Sequence, residues 1–250
     1  LKEVIKIAKL PYISIEGIFT HFASSDSSDK KMTHSQYEQF CLFIRQLEEN
    51  GVKIPLHHCD NSAGIIDVPE DSMDMVRAGI SLYGMYPSDE VNKKSVMLSP
   101  ALSMKSHIIY LKEVDAGQGI SYGSTFVTKR RTKVATVPVG YGDGYQRNLS
   151  NRGYVLIRGK KVNIIGRVCM DQFMVDVTDL EEVCEGDEVT LIGTDGANTI
   201  TTEELAELAG TFNYEFVCDL GKRVPRVYYH HGKIVCCKDY FEDDYILQEA

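Results

Sequence analysis

The chain changes its hydrophobic pattern roughly 90 residues after Leu1, and this change constrains the fold more than any other feature. Before it, apolar strand-like runs alternate with helical repeats, as at Thr33–Asn50, where apolar residues recur at 3- and 4-residue spacing. From residue 98, short β-branched runs separated by turns replace that alternation. The sequence therefore predicts two parts of different class, an α/β part at 1–97 and an all-β part at 98–250.

The first part has the pattern of parallel strands joined by crossover helices. About three strand–helix units fit into it, whereas a complete (β/α)8 barrel takes about 250 residues. The pattern therefore predicts either a small open sheet or the last part of a barrel. The predicted elements are helices at Leu1–Lys9 and Thr33–Asn50, a short helix near Ser62, and strands at Ile13–His21, Lys53–Cys59 and Met75–Tyr83.

The second part has the strand spacing of a β-barrel or a β-sandwich. One helix interrupts it, because Thr201 followed by Glu204 has the pattern of a capping box. The last residues, Asp239–Ala250, are expected to be partly disordered. The predicted strands are Ser103–Leu111, Lys133–Val139, Tyr154–Ile157, Lys161–Ile165, Phe173–Val177, Glu188–Gly193, Arg226–Tyr229 and Lys233–Cys236.

Composition excludes several classes of partner. A net charge of −9 disfavours nucleic acid and anionic membranes, which attract basic proteins. No run approaches the ~18 apolar residues of a membrane span. The seven cysteines are odd in number and form no C-x-x-C, so we expect reduced, buried thiols in a cytoplasmic protein.

Polar residues follow the predicted strands of the first part. His21 ends one strand, Asn61 and Ser62 follow another, and Arg77 lies on a third. Since barrel active sites form where strands end, these residues are candidates for a site. Core hydrogen bonding of His21 and a plain salt bridge of Arg77 are the structural alternatives. A hydroxyl and nearby backbone amides would suit an anion, which points to Ser62, Gly79 and Ile80.

Two further segments, GISYGSTF at 119–126 and GRVCMDQ at 166–172, offer no continuous apolar face and are interpreted as functional loops. They contain Tyr122, Met170 and Asp171. The pair His57-His58 resembles a metal cluster, but neighbouring residues on a strand point to opposite faces, so no metal site is expected. The acidic run at 179–187 is expected to be a solvated loop.

Together with THFASSD at 20–26, NSAG at 61–64 and VRAGISLYG at 76–84, these segments resemble the alanine racemase family, over nearly the whole chain. The resemblance implies a TIM-type (β/α)8 barrel that binds pyridoxal 5′-phosphate (PLP), followed by a β-barrel-like C-terminal domain. Residues 1–97 would then be the last βα units of the barrel, and residues 98–250 the C-terminal β domain. It also implies a homodimer whose active sites are shared between subunits.

The resemblance assigns roles to four residues of the second part. Tyr122 would take the Cα proton of L-alanine in the partner's active site. Because free phenols ionise only near pH 10, nearby cations would have to favour that step. The backbone N–H of Met170 would hold the substrate carboxylate, Asp171 would help to order the site, and Tyr141 would line the substrate entrance.

Six residues of the first part would contact the cofactor. Arg77 would face the pyridine nitrogen of PLP and His21 would hold Arg77. Arginine keeps its proton, so the ring would be a weaker electron sink, which discourages side reactions. The full set implied for cofactor binding is His21, Asn61, Ser62, Arg77, Gly79 and Ile80.

The 250 residues contain no K-A-[ND]-A-Y-G-H-G motif, in which the family carries its PLP lysine. The chain is therefore expected to lack the first five barrel strands and to be inactive alone. The implied function is the interconversion of L- and D-alanine, which supplies D-alanine for peptidoglycan. A racemase of serine or a basic amino acid and a non-catalytic fragment that binds a partner chain are the alternatives. A PLP decarboxylase is disfavoured, because decarboxylation needs a stronger electron sink than Arg77 allows.

Overall fold

A computed structural model describes residues 1–241 of the chain; residues 242–250, most of the tail predicted to be partly disordered, lie outside the described residues. The chain divides into two compact units, Leu1–Ala101 and Leu102–Ala250. The assignment of 1–97 and 98–250 to two family domains stays a prediction. Within residues 1–241, no helix combines the length and apolar character needed to cross a membrane.

The first unit contains a parallel strand pair with a helical crossover, as the alternating pattern predicted. Strands β1 and β2 align Gly17 with Leu56 and Phe19 with His58. Helix α2 connects them and buries Phe40 and Leu47, the apolar positions of the predicted repeat. The elements are α1 (Lys2–Ile7), β1 (Gly17–Phe19), α2 (Lys31–Glu49), β2 (Leu56–His58) and α3 (Ser62–Asp67), with 3₁₀ turns at Pro69–Asp71 and Ile80–Tyr83.

The predicted third strand, Met75–Tyr83, is wrong over most of its length. Only Met75 makes a bridge to His58 of β2, and Ile80–Tyr83 forms a 3₁₀ turn. The physical reason is the hydroxyl of Ser62, which accepts hydrogen bonds from the amides of Gly79 and Ser81. These amides are directed towards α3 and not towards a neighbouring strand.

The second unit is built on an eight-stranded antiparallel sheet, with two separate two-stranded hairpins. Its path runs β12-β11-β8-β9-β10-β7-β4, and β3 pairs with β11. The strands are β3 (Met104–His107), β4 (Tyr110–Val114), β5 (Gly119–Ile120), β6 (Phe126–Val127), β7 (Thr132–Val137), β8 (Tyr154–Ile157), β9 (Lys160–Ile165), β10 (Phe173–Asp176), β11 (Glu188–Asp195), β12 (Asn198–Ile200), β13 (Arg226–His230) and β14 (Lys233–Lys238).

The single strand predicted at Ser103–Leu111 is two strands with different partners. The amide of Ile108 donates to Asp187 beside β11, whereas the amide of Ile109 donates to Thr136 of β7. Since β11 and β7 lie towards opposite ends of the sheet path, the short link between β3 and β4 joins those ends. A continuous strand segment that passes from one end of the sheet path to the other favours the barrel over the sandwich.

Helices α4 (Thr202–Ala209) and α5 (Asn213–Asp219) complete the described part of the second unit. The predicted N-cap is confirmed, because the hydroxyl of Thr201 accepts from the amide of Glu204 at 3.1 Å. Helix α5 was missed by the sequence pattern. Leu205 of α4 and Phe216 of α5 are fully buried in the core that packs against the eight-stranded sheet.

The cysteines form no disulfide within the described residues, which include all seven. The expectation of burial is wrong for Cys184 and Cys218, which are exposed, and Cys59 is the one that is fully buried. Cys184 lies in a turn of the acidic run, and Cys218 lies in the last turn of α5. Neither segment is an apolar strand, so no neighbouring strand covers these thiols.

Candidate active site

The guanidinium of Arg77 is held where β1 and β2 end. Its Nη2 donates to the carbonyl oxygens of Thr20 at 2.9 Å and Cys59 at 3.1 Å. The same nitrogen lies 3.2 Å from Nδ1 of His21, the contact that the resemblance implied. The Nη1 of Arg77 contacts Nδ1 of His58. Within residues 1–241, Arg77 is therefore fixed by backbone carbonyls and imidazole nitrogens and not by the plain salt bridge that was the alternative.

His58 is a site residue that the sequence reasoning missed. Its ring stacks on Phe19 with centroids 5.3 Å apart, and the Arg77 guanidinium carbon lies 5.1 Å from the Phe19 ring centroid. Burial, and then the charge of Arg77, lower the pKa of His58 below its usual value. A neutral ring accepts at Nδ1, so His58 supports the Arg77 position. His58 is paired in register with Phe19 of β1, a relationship that becomes visible only once the two strands are aligned in the structure.

His57 and His58 point to different partners, as adjacent strand residues should. Nδ1 of His57 lies 3.1 Å from a carboxylate oxygen of Asp74, while His58 contacts Arg77. Within residues 1–241, no group of three His, Cys, Asp or Glu side chains is arranged to hold a metal ion.

Ser62, Gly79 and Ile80 are brought together, but two of them bind each other. The hydroxyl oxygen of Ser62 accepts from the amide of Gly79 at 2.9 Å and from that of Ser81 at 3.3 Å. The hydroxyl oxygen of Ser81 also lies 3.1 Å from the hydroxyl oxygen of Ser62. The amide of Ile80 begins the 3₁₀ turn. The Gly79 amide is thus engaged by Ser62, and the role of Gly79 in holding an anion stays a prediction.

Asn61 caps helix α3 and its side chain is used inside the protein. Its Oδ1 accepts from the amides of Ala63 at 3.1 Å and Gly64 at 3.0 Å. The Ser25 hydroxyl donates to the same oxygen at 2.8 Å. The Asn61 amide group therefore fixes the start of α3, and with it Ser62, as N-cap residues generally do.

In the second unit, all four residues singled out from the sequence line one cavity. It has a volume of about 770 Å³ and is lined by Ser121, Tyr122, Gly123, Tyr141, Cys169, Met170, Asp171, Gln172 and Met174. Tyr122, Tyr141 and Met170 are exposed, with 72% of the Tyr122 surface accessible. Three tight segments of the chain thus present two phenols, a thioether and a carboxylate to a single open space.

Tyr122 lies in a turn whose backbone is unusual. Its neighbours Ser121, Gly123 and Ser124 all have positive φ angles, of 62°, 70° and 46°. The turn is fixed to the next loop, because the hydroxyl of Ser121 donates to the carbonyl oxygen of Arg167 at 2.8 Å. Strained backbone of this kind is common in functional turns, and here it projects the phenol away from the core.

The segments that carry Tyr141 and Met170 are joined backbone to backbone. The amide of Tyr141 donates to the carbonyl of Cys169 at 3.0 Å, and the amide of Gly142 donates to that of Met170 at 2.8 Å. At Gly140, a Cβ atom would lie 2.2 Å from the Cys169 carbonyl oxygen. Glycine is therefore required at 140 for the two segments to approach this closely.

Arg223 is a second residue that the sequence reasoning missed. Its Nη2 donates to Asp171 at 2.7 Å, and its Nε lies 3.3 Å from Asp143, whose other carboxylate oxygen accepts from the amide of Gly140. The hydrogen bond to Asp171, and then the charge of Asp143, raise the pKa of Arg223. Asp143 and Asp171 are distant from Arg223 in the sequence, so no local sequence pattern predicted these contacts.

Fold and site together define a protein of two compact units, in which an α/β part precedes an antiparallel β part. The family model described as "Alanine racemase, N-terminal domain" matches residues 1–87, and that described as "Alanine racemase, C-terminal domain" matches residues 101–228. The chain belongs to the alanine racemase family.

The relatives agree with this assignment. The alanine racemase of Clostridium perfringens is 46% identical over 240 residues, covering 96% of this chain and 62% of the relative. That of Methanococcus maripaludis is 51% identical over 225 residues, covering 90% and 60%. Among solved structures, the alanine racemase of Clostridium difficile 630 in complex with cycloserine has a TM-score of 0.90 at 44% identity, covering 96% of this chain and 63% of that one.

A second structure, the alanine racemase of Bacillus anthracis with bound L-Ala-P, has a TM-score of 0.88 at 39% identity, covering 94% of this chain and 60% of that one. The chain thus spans about three fifths of the length of these relatives. Because the N-terminal domain model matches residues 1–87, the expectation of a missing N-terminal part is not supported. The expected inactivity of the chain alone is likewise unsupported.

Proposed function

We propose that this chain carries active-site residues of an alanine racemase, which interconverts L- and D-alanine with PLP and supplies D-alanine for peptidoglycan. The observation that supports this most directly is the 770 Å³ cavity, in which Tyr122, Tyr141, Met170 and Asp171 meet. The resemblance implies one site for these four residues, and their shared cavity supports that implication.

In this proposal, Tyr122 moves the proton. Its phenolate would accept the Cα proton of L-alanine, and the exposed position of the side chain lets the oxygen reach a substrate. The N–H of Met170 would donate to the substrate carboxylate from the tip of a turn closed by a 2.9 Å bond between the Cys169 amide and the Gln172 carbonyl. Tyr141 would border the path by which the substrate enters.

The first unit would bind the cofactor. PLP, when bound, supplies the electron sink that makes the Cα–H of an amino acid acidic. Arg77 fits the pyridine side of such a group, because among residues 1–241 no acceptor engages its Nε or its second Nη1 hydrogen. A permanently protonated guanidinium donates a hydrogen bond without giving up a proton. His21 and His58 would keep Arg77 in this orientation.

The residues near Ser62 could hold the phosphate group of PLP, although their roles differ from those inferred from the sequence. Ser62 would donate its hydroxyl hydrogen and the amide of Ile80 would add a second donor. Gly79 would act through Ser62, since its amide orients the serine oxygen. Asn61 would contribute by capping α3 and not by direct contact.

The partner in this proposal is a second copy of the chain. Tyr122 and the other cavity residues would complete the active site of the partner subunit, so that dimer formation is part of catalysis. Serine and basic amino acids are the alternative substrates, and the assay of the proposal includes them.

The test is racemisation by the purified 250-residue chain with PLP, alone and mixed with the part of a relative's chain that has no counterpart here. L-alanine, L-serine and L-lysine are supplied in parallel, and the D-isomer is measured by chiral chromatography. Activity on alanine in either sample supports the proposal, and preferred turnover of serine or lysine reassigns the substrate. Absence of racemisation from mixed parts shown to associate would overturn it in favour of a non-catalytic module.

A further inference from the structure

Arg223 lies outside every segment to which a chemical role was assigned above, yet it contacts two of them. Its Nη2 donates to Asp171 in the loop that carries Met170, and its Nε reaches Asp143 in the turn that carries Tyr141. The Asp143 side chain is largely buried, whereas that of Asp171 is mostly exposed. One guanidinium therefore links a buried carboxylate to an exposed one at the rim of the cavity.

The space for this guanidinium is provided by Gly142. A Cβ atom at that position would lie 2.4 Å from Nη1 of Arg223 and 3.0 Å from the Met170 carbonyl oxygen. The same carbonyl accepts the amide of Gly142 at 2.8 Å. Arg223 thus lies beside the backbone hydrogen bond that joins the Tyr141 turn to the Met170 loop.

The segment that carries Arg223 is itself firmly attached to the turn. The amide of Gly221 donates to the carbonyl of Asp143 at 3.0 Å, and a Cβ at Gly144 would lie 2.0 Å from the carbonyl oxygen of Asp219. The guanidinium of Arg226 donates to the carbonyl of Leu220 at 2.8 Å. Because the base of the Arg223 side chain is fixed, its contact with Asp171 restrains the loop and not the arginine.

We propose that Arg223 is a positioning residue that fixes the Cys169–Gln172 loop and thereby orients the Met170 N–H towards a carboxylate substrate. The carboxylate role rests on the proposed function, whereas the restraint on the loop does not. Only arginine suits the position, since its Nε and Nη2 reach two acceptors from one rigid plane. Lysine would keep the charge but could bind one carboxylate at a time.

The test compares Arg223→Lys and Arg223→Met with Arg158→Lys as the matched control. Arg158 also uses Nε and Nη2 to bind a carboxylate, that of Asp187. Arg158 and Asp187 do not line the cavity. Hydrogen exchange of the amides of Tyr141 and Gly142 is followed in the 250-residue chain. We expect roughly tenfold faster exchange in both Arg223 variants, with β8 amides unchanged, because local opening becomes easier. Arg158→Lys should leave the exchange of Tyr141 and Gly142 unchanged.

The second readout is steady-state kinetics in the active form defined by the racemisation test. If Arg223 orients a carboxylate-binding amide, Arg223→Lys raises KM for alanine about tenfold and changes kcat much less. Exchange in Arg223→Lys equal to that of the unsubstituted chain would overturn the proposal, as would faster exchange with unaltered KM. If no form of the protein racemises, the proposed function fails, while the exchange experiment still decides the role of Arg223.

Discussion

His58 accepts a hydrogen bond from the guanidinium of Arg77 through Nδ1, next to a His57 that binds a different partner. A protonated imidazole has no acceptor nitrogen, so this contact requires neutral His58. The lowered pKa of His58, caused by burial and by the Arg77 charge, means that the folded chain binds a proton there less readily than the unfolded chain.

Stability should therefore decrease as the pH falls below about 6.5, where unfolded histidine becomes protonated. Between about pH 7.5 and about pH 5.5, we expect His58→Leu to lose less free energy of unfolding than the unsubstituted chain, because the titrating group is gone. Urea unfolding at the two pH values measures the difference. His57→Gln is the control. If the pH dependence of the free energy of unfolding is reduced equally in both variants, the effect does not arise from the Arg77 contact.

Replacing Tyr122 by Phe should reduce racemisation from L-alanine by about 10²- to 10⁴-fold, the usual contribution of a general base. Because the Tyr122 side chain is exposed, the thermal midpoint should hardly change. Tyr110→Phe, at another exposed tyrosine of the same unit, should leave the rate unchanged. Turnover retained by Tyr122→Phe would remove the tyrosine from the chemistry.

Gly140→Ala should destabilise the second unit by about 1–3 kcal/mol, the usual cost of forcing an atom into packed structure. The added Cβ would lie 2.2 Å from the Cys169 carbonyl oxygen and 2.3 Å from that of Met170, so both loops would have to separate. Gly221→Ala is the control, since its Cβ would have no neighbour nearer than 3.7 Å. Urea midpoints of the two variants should differ clearly, and equal midpoints would disprove the close approach.

Acid should weaken the second unit through Asp187. The hydrogen bond from Arg158 lowers the pKa of Asp187 to about 2, below its ordinary value of 3.8. The stabilisation is complete above pH 3.8 and is lost as the pH falls through about 2. Asp187→Asn should therefore be less stable than the unsubstituted chain at about pH 5, and this difference should shrink at about pH 2. Exposed Glu181→Gln serves as the control in urea unfolding.

Local patterns were sufficient for most of the fold. Helix α2 and the N-cap at Thr201 follow from apolar spacing and from one hydroxyl, so their positions agree closely with the prediction. Met75–Tyr83 was not predictable in this way, because its β-like composition competes with the Ser62 hydroxyl, which lies far away in sequence. The division of Ser103–Leu111 likewise depends on which distant strand receives each amide.

The candidate site shows the same limit. The loops that carry Tyr122, Met170 and Asp171 were recognised because they offer no continuous apolar face, whereas the choice of these three residues came from the resemblance to the alanine racemase family. His58 and Arg223 were missed because each acts on another side chain at long range, and a single sequence contains no sign of such pairs. The acidic run was predicted to be solvated, yet Asp187 is partly buried by its contact with Arg158. Networks of this kind become visible only in three dimensions.

The backbone bonds from Tyr141 and Gly142 to the carbonyls of Cys169 and Met170 have a consequence for redesign. Neither bond involves a side chain, so the identities of residues 141 and 170 are not needed to set the shape of these loops. Libraries that vary these two positions should therefore change the size and polarity of the cavity while the main chain keeps its course. Glycine at 140 and 142 would have to be retained in every member.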